Sequence, residues 1–586
     1  MPRKTPSLFG KHLQTALRNE QVWLKAEDLP SFLPFYVDQG HLELLLDNAN
    51  QLIVGRRGTG KTHLLGAFHE FVSSEKKDSA SLMISILEAY PKTPPTLQME
   101  SDEFASRKVS HEIFHGFLRV FFKRFLDLIT ARLRALQESC SKEDYKGIFS
   151  DANDRLTQLL EAIEIGRTYP VRSSIKSRTS ESEDTDKSGG VGVGAGVRNW
   201  VPQLKGRIGL SAKKNHKKSS KKNTETEGML SVDLFEVREL ILDIIDITKI
   251  NTLYILIDEW MELDKNTPSR LQAAFAQLLK ATFFNSGRIS VKIASVWHET
   301  TLYDRNDMER SKGIQIGHDI MLAADLDSAF LTRPEEVFEF CKRLLFKRLT
   351  HVCEELAPLQ KDSAVSDVFI TELFDNLDNY KAFIAASHGI PRDIMHIFQI
   401  CSLHIRRNFS NNCIDFSLIA DVAKNRYKQQ KRKQIDPNSP AQKLLNLINK
   451  YMENSGHRLF LVENMQSGSS ALRKLVDEEL IHQIPSAVTH RSISDTHKTY
   501  HIDYGNYADW IATKKSDVSE LLNEFVIPTF PRNFERSIKD YTINIAVIAN
   551  EKGECKSCGR IFDLSHPVYM KAKICPGCAG DRTTVM

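Results

Sequence analysis

No apolar run in the chain approaches the roughly 18 residues that a membrane-spanning helix needs, which excludes a helical membrane protein. The opening stretch, MPRKTPSLFGKHLQ, carries charge with no apolar core behind it, so a secretory signal is not expected. An excess of one sign of charge is missing too. The 79 Lys and Arg residues face 75 Asp and Glu, a formal net charge of +4. Any nucleic-acid contact must therefore come from a local patch, not from bulk attraction. Cysteine is sparse, nine in 586 residues, and five of the nine (Cys140, Cys341, Cys353, Cys401 and Cys413) are scattered. In a reducing compartment, scattered cysteines are mostly plain buried residues. The expected location is the cytoplasm.

What is present suits a globular protein: 41% hydrophobic and 26% charged residues. At about 100–200 residues per domain, roughly three to five units are expected. Residues 1–40 read as a lead-in. Gln51-Leu52-Ile53-Val54 then reads as a short buried strand, and it runs into Gly55-Arg56-Arg57-Gly58-Thr59-Gly60-Lys61-Thr62. After the loop, HLLGAFHEFV is apolar at helical spacing. This is the strand, loop and helix of a P-loop, G-x-x-x-x-G-K-[ST], whose backbone N–H groups wrap phosphate oxygens. Its glycines permit close approach, and the helix aims its positive end at the anion. Lys61 is expected on the β- and γ-phosphates of ATP and the Thr62 hydroxyl on Mg²⁺.

Further on, Leu253-Tyr254-Ile255-Leu256-Ile257 is a continuous apolar strand ending in Asp258-Glu259. Ligands of open α/β sheets bind at the carboxyl ends of strands. Asp258 is expected to hold the magnesium and Glu259 to polarise the attacking water. Other expected strands are 82–88, 289–296 and 318–324, with helices over 110–137, 143–165, 231–247 and 267–283. Alternating strands and helices predict an α/β fold with a mostly parallel sheet. This ATPase core spans 41–332. Within it, the Ser-, Gly- and Lys-rich stretch 170–228 reads as a flexible insertion, with a small hairpin conceivable over 191–197 and 204–210. Residues 333–430 are helical throughout, a lid. The stretch 424–434, KNRYKQQKRKQ, holds six basic residues and no acidic one and reads as a basic linker or helix end.

Residues 431–512 suggest a winged helix: a helix AQKLLNLINKYMEN, a second short helix or strand-helix element RLFLVENMQ, a third helix over 469–477, and two wing strands near 480–484 and 498–502. In that fold the third helix enters the major groove of double-stranded DNA, with Arg473, Lys474 and Arg491 as the contacts. The same shape also serves as a protein-interaction module, and Asp477, Glu478 and Glu479 crowd the helix end. A connector, 513–550, precedes the last signal. Cys555-Lys556-Ser557-Cys558 and Cys575-Pro576-Gly577-Cys578 form C-x₂-C-x₁₆-C-x₂-C. That spacing predicts a zinc ribbon over 551–586, with Zn²⁺ held by four thiolates and no open position for catalysis.

A P-loop, a strand-borne Asp-Glu, a further buried strand and a helical lid resemble the AAA+ ATPases. Among them the chain looks most like the origin-recognition clade of replication initiators, with the STAND signalling ATPases close behind. The resemblance covers about 40–430. It implies a polar sensor at the end of the strand after Asp258, where Ser295 stands, with His298 slightly beyond. It implies a lid arginine near the γ-phosphate at a helix start, where Gly389-Ile390-Pro391-Arg392-Asp393 fits. It also implies a neighbour's arginine completing the site of a homo-oligomer, for which Arg305 and Arg310 are candidates. Two functions follow: a DNA-associated ATPase switch, or a STAND-like signalling or bacterial antiviral-defence ATPase whose C-terminal domains bind an effector protein partner.

Overall fold

The computed structural model describes residues 28–89, 103–165, 167–170, 228–264, 270–304, 312–327, 334–353, 370–407, 413–464, 469–484, 497–514, 538–545, 552–555, 561–563 and 583–585, with residues 16–17, 19, 22, 355–356, 466–467, 574–575 and 577–578. The possible hairpin over 191–197 and 204–210 lies outside them.

Strands β1 (Gln51–Val54), β2 (Ser79–Ser85), β3 (Thr252–Asp258), β4 (Ile289–Ser295) and β5 (Met321–Asp325) form a parallel sheet in the order β2-β3-β4-β1-β5. Every residue of β1, β3 and β4 is buried. Their near-continuous apolar sequences follow from that, because both faces of a parallel sheet are covered. Helix α1 (Lys61–Glu75) packs Leu64, Leu65, Phe68 and Val72 against Ile53, Leu256 and Ala294 on one face. The helices α2 (Glu103–Ser139), α3 (Lys142–Ile165), α4 (Leu234–Ile247) and α5 (Arg270–Phe283) cover the other, with Phe117, Phe121, Ile241 and Phe275 sharing a core with Leu52, Val54, Ile255 and Ile257. Successive strand residues thus serve opposite cores. Each fully buried Leu, Ile or Phe contributes about 1.5–3 kcal/mol. Strand β2 begins and ends three residues earlier than the expected 82–88, because Ile86–Ala89 turns helical at once.

One buried cation pins the approach to β1. Lys292 in β4 is fully buried and donates to Asp47 O at 2.6 Å, Ala49 O at 2.9 Å and Gln51 Oε1 at 2.6 Å. All three ammonium protons are used, although burial still pushes its pKa down to about 7. The strand Arg167–Pro170 pairs antiparallel with Gly228–Ser231 and closes the base of the insertion.

The lid consists of α6 (Pro334–Val352), α7 (Leu377–Ser387), α8 (Pro391–Arg407) and α9 (Phe416–Arg426). Asn376 and Asp415 cap α7 and α9 by accepting from Asn379 N and Leu418 N. Helix α9 runs on through a π-helical turn, Tyr427–Lys431, and a 3₁₀ turn, Arg432–Gln434. Stretch 424–434 is therefore a helix end and not an open linker.

Beyond it stand α10 (Pro440–Ser455), β6 (Leu459–Glu463), α11 (Ser470–Asp477), β7 (Ile481–Ile484), β8 (His497–Ile502) and α12 (Tyr504–Lys514). The three strands form an antiparallel sheet in the order β6-β8-β7. Of the two expectations for RLFLVENMQ, a short helix or a strand-helix element, the structure shows a strand over Leu459–Glu463. Four successive buried residues, Leu459 to Val462, need cover on both sides, and a strand provides it. Residues 538–545 flank that strand, with Ile543 N donating to Leu461 O at 2.8 Å. Lid and C-terminal module share one apolar core, and Gly505 of α12 lies against Ala423 of α9. At the end of the chain, β9 (Lys552–Cys555) pairs with β10 (Ile561–Asp563) and β11 (Thr583–Val585).

Candidate nucleotide site

The glycine-rich loop leaves β1 and enters α1 as the sequence requires. Gly58 and Gly60 take φ of +84° and +96°, values a side chain resists. Thr59 Oγ1 donates to Arg56 O at 2.9 Å. The Lys61 ammonium lies inside the loop and donates to Gly55 O and Arg56 O, both at 2.8 Å. Burial pushes its pKa down to about 8, against the opposing pull of Asp327, Asp258 and Glu299. Those three carboxylates lie near enough to act on the Lys61 charge. Thr62, in the first turn of α1, is half-buried.

Asp258 ends β3 and is buried; its Oδ1 accepts from Glu259 N at 2.9 Å. Glu259 itself has φ of +59°, uncommon for a residue with a side chain. Ser85, opposite Asp258 in the sheet register, donates through its hydroxyl to Glu259 Oε2. A strained backbone held by neighbours is a recurrent mark of functional positions. Ser295 ends β4 directly beside Val54, the last residue before the loop. It is fully buried and accepts from Thr300 Oγ1 at 2.6 Å. The side chain of His298 and residues Arg305 and Arg310 lie outside the described residues.

Arg392 stands at the start of α8 and touches the P-loop. Its backbone N donates to Gly58 O at 3.2 Å, and a Cβ placed on Gly58 would meet Arg392 Cβ at 2.9 Å and Nε at 3.0 Å. The start of α8 thus lies against the glycine-rich loop.

No family model matches the chain, and no curated protein is significantly similar to it. Among solved structures it is similar to the Drosophila ORC bound to DNA, with 11% identity and a TM-score of 0.29, over 87% of this chain and 94% of that one. It is also similar to the Aeropyrum pernix ORC1 protein in complex with DNA, with 10% identity and a TM-score of 0.29, over 85% and 98% of the two chains. Scores this low carry no weight for function.

Residues that sequence reasoning missed complete the site. Asp327, just past β5, accepts from Arg56 N at 2.7 Å and pairs with Arg56 Nε at 2.9 Å, clamping the loop. An acidic residue at the end of an expected strand was the available signal. Glu299 pairs with Arg57 at 3.5 Å. Buried Gln272 holds Glu299 there by donating to its carbonyl at 2.9 Å. Arg56 Nη1 and Nη2 and Arg57 Nε are buried donors without a hydrogen-bond partner. Orphaned cationic donors in a phosphate-type loop are what an anionic ligand would satisfy.

On α11, Arg473 and Lys474 are exposed, and Lys474 pairs with Glu478 at 2.5 Å. Lys498 of β8 lies close enough to Arg473 for the two charges to interact; burial, then Arg473, lowers its pKa. Lys498 thus joins the patch, while Arg491 lies outside the described residues. The 424–434 stretch is less available than its composition suggested: Arg426 pairs with buried Asp393 at 2.6 Å and Lys431 with buried Asp503 at 2.6 Å.

Cys555, Cys575 and Cys578 bring their sulfurs within 4.8 Å of one another. Cys555 and Cys578 Sγ are 3.5 Å apart, and Gly577 N donates to Cys575 Sγ at 3.3 Å. Thiolates at about 2.3 Å from a tetrahedral zinc sit about 3.8 Å apart, so the donor set fits that ion. Cys558 lies outside the described residues.

Proposed function

We propose that the chain is an ATP-binding and ATP-hydrolysing switch of the AAA+ type, acting on double-stranded DNA as a homo-oligomer. The observation that carries the reading is the Lys61 ammonium held inside the glycine-rich loop, within electrostatic reach of Asp258, in a loop where Arg56 Nη1 and Nη2 and Arg57 Nε are buried without a partner. Lys61 would exchange its two carbonyl partners for phosphate oxygens. Glu259, positioned by Ser85, would take the proton of the attacking water. Ser295 and Arg392 would orient the terminal phosphate. Thr62 and Asp258 would hold Mg²⁺, which supplies neutralisation of the developing phosphate charge. Arg305 or Arg310 of a neighbouring copy would complete the site.

The arrangement α10–β6–α11–β7–β8 supports a winged helix with Arg473, Lys474 and Lys498 on its DNA-facing side, and Arg491 is proposed as a further contact. The C-terminal cysteines would hold a structural zinc ion. Labelled Mg-ATP uptake tests the first part: the protein binds, and Lys61→Ala does not. Equal uptake by both sinks the reading. Duplex titration tests the second. If Arg473, Lys474 and Lys498 each meet a phosphate, log K falls with log salt at a slope of about −2.7. A salt-independent response would reject DNA as the partner. The docking of the C-terminal module against the lid favours one alternative, a switch released by a protein partner; oligomerisation on adding that partner, without any DNA response, would select it.

A further inference from the structure

The carboxylate of Glu479 sits where the C-terminal module meets the lid, in the turn between α11 and β7. Its oxygens face three cations: Arg392 Nη2 on Oε1, Arg426 Nη2 at 3.6 Å and Lys431 Nζ at 3.7 Å from Oε2. Its backbone is held with equal firmness. Glu479 has φ of +56°, and its carbonyl accepts from Lys431 Nζ at 3.2 Å. The positive φ is that of a helix C-terminal turn, in which Glu479 N donates to Val476 O at 3.0 Å and Leu480 N to Leu475 O at 2.9 Å.

The three cations are not equivalent. The side chains of Arg426 and Lys431 are 10% and 7% exposed, whereas that of Arg392 is 47% exposed. Arg426 and Lys431 each have a second, closer carboxylate, Asp393 and Asp503, both at 2.6 Å. Arg392 reaches Asp393 only at 3.3 Å through Nε. Arg392 is also the one of the three that rests on the P-loop, through Gly58. It is the most exposed of the three, and the nearest further anion within its reach would be a phosphate in the loop.

We propose that Glu479 and the γ-phosphate of bound nucleotide compete for Arg392, so that the turn after α11 reads whether the P-loop holds a triphosphate. The proposal rests on the ATP reading above and assigns its regulation. With Arg392 on Glu479, the joint balances three cations (Arg392, Arg426, Lys431) against three carboxylates (Asp393, Glu479, Asp503). Withdrawing Arg392 leaves two cations against three carboxylates in a largely buried setting, which loosens α11 from the lid. Coupling of this kind is reciprocal: whatever loosens α11 favours the triphosphate, and a diphosphate, which has no γ-phosphate, leaves the latch shut. Glu479 is here a positioning residue and touches no reacting atom.

The test is a titration of the full chain with fluorescent non-hydrolysable ATP and with ADP, each with magnesium. Glu479→Gln should tighten the triphosphate about tenfold and leave ADP unchanged, since it removes the intramolecular competitor. In the double variant Glu479→Gln/Arg392→Ala that gain should vanish. Equal changes for both nucleotides, or a gain that survives loss of Arg392, would overturn the competition and leave the ATP site standing. Failure of the unaltered protein to bind either nucleotide would remove the site and the proposal together. Hydrogen exchange over residues 470–484 of the unaltered protein gives a reading independent of variant folding. Exchange there should be faster with the triphosphate analogue than with ADP; equal rates would overturn the proposal.

Discussion

On the proposed reading, the lowered pKa of Lys61 would make nucleotide binding a proton-uptake reaction in a defined pH range. Burial holds this ammonium at about 8 where a free lysine lies near 10.4, so without nucleotide it loses its proton as pH rises through about 8. Phosphate oxygens supply compensating negative charge and return the pKa toward its free value. Binding at pH 7 should therefore take up almost no proton, at pH 8 about half a proton, and at pH 9 about 0.9. The apparent affinity for ATP should fall about tenfold between pH 7 and pH 9, because by then about nine molecules in ten must first regain the charge. The sign for stability is the reverse. Between about pH 8 and pH 10 the unfolded chain holds a proton the folded chain has lost, so this group makes folding more favourable as pH rises. Calorimetric titration in buffers of different ionisation enthalpy measures the uptake directly. A count near zero at pH 9 would refute the argument, as would an unchanged count in Lys61→Arg, whose guanidinium stays charged throughout.

Two further expectations concern other parts of the chain. The purified protein should carry about one zinc ion per chain by elemental analysis, and Cys555→Ser or Cys578→Ser should lose it while ATP uptake persists. Full zinc content in both variants would exclude these sulfurs as ligands. Gly505→Ala should destabilise the chain by about 1–3 kcal/mol or more in a denaturant titration. Its Cβ would meet Ala423 O at 2.4 Å and Tyr427 Cβ at 2.7 Å, atoms that cannot move aside. Gly147→Ala in α3 is the control. Nothing lies within 4 Å of that Cβ, so the helix should gain about 1 kcal/mol.

The core of the site was legible because its chemistry is local. Eight consecutive residues, 55–62, make the loop; of the two dihedrals that demand glycine, one falls on Gly60, which the motif fixes, and the other on Gly58, at an open position of the motif. Asp258 and Glu259 were found from a strand of seven buried residues, a signal contained in its own letters. Ser295 and Arg392 needed a resemblance, and the structure brings both to the loop, one through the register of β4 with β1 and one through Gly58. Glu299 and Gln272 were not legible, and Asp327 was signalled only by its place after an expected strand. Each acts through a contact about 27 to 271 residues away in sequence, and nothing in a lone acidic or amide residue announces its partner.

The same physics shows what two charged stretches become in the fold. KNRYKQQKRKQ reads as a basic linker or helix end, and Asp477-Glu478-Glu479 as an acidic run crowding the end of the next module's helix. Folding sets parts of the two against each other: Lys431 and Arg426 of the first stretch lie by Glu479 of the second. Like charges clustered in sequence are normally solvated, because burying one alone costs several kcal/mol. Burial becomes affordable only when an opposite cluster arrives from elsewhere in the chain, and a one-dimensional reading cannot see that arrival. A run of one sign therefore predicts a solvated face only if no complementary run follows in the same core. Here the complementary run lies 48 residues further on, from Lys431 to Glu479, and what it neutralises is the joint between the lid and the module that carries Arg473 and Lys474.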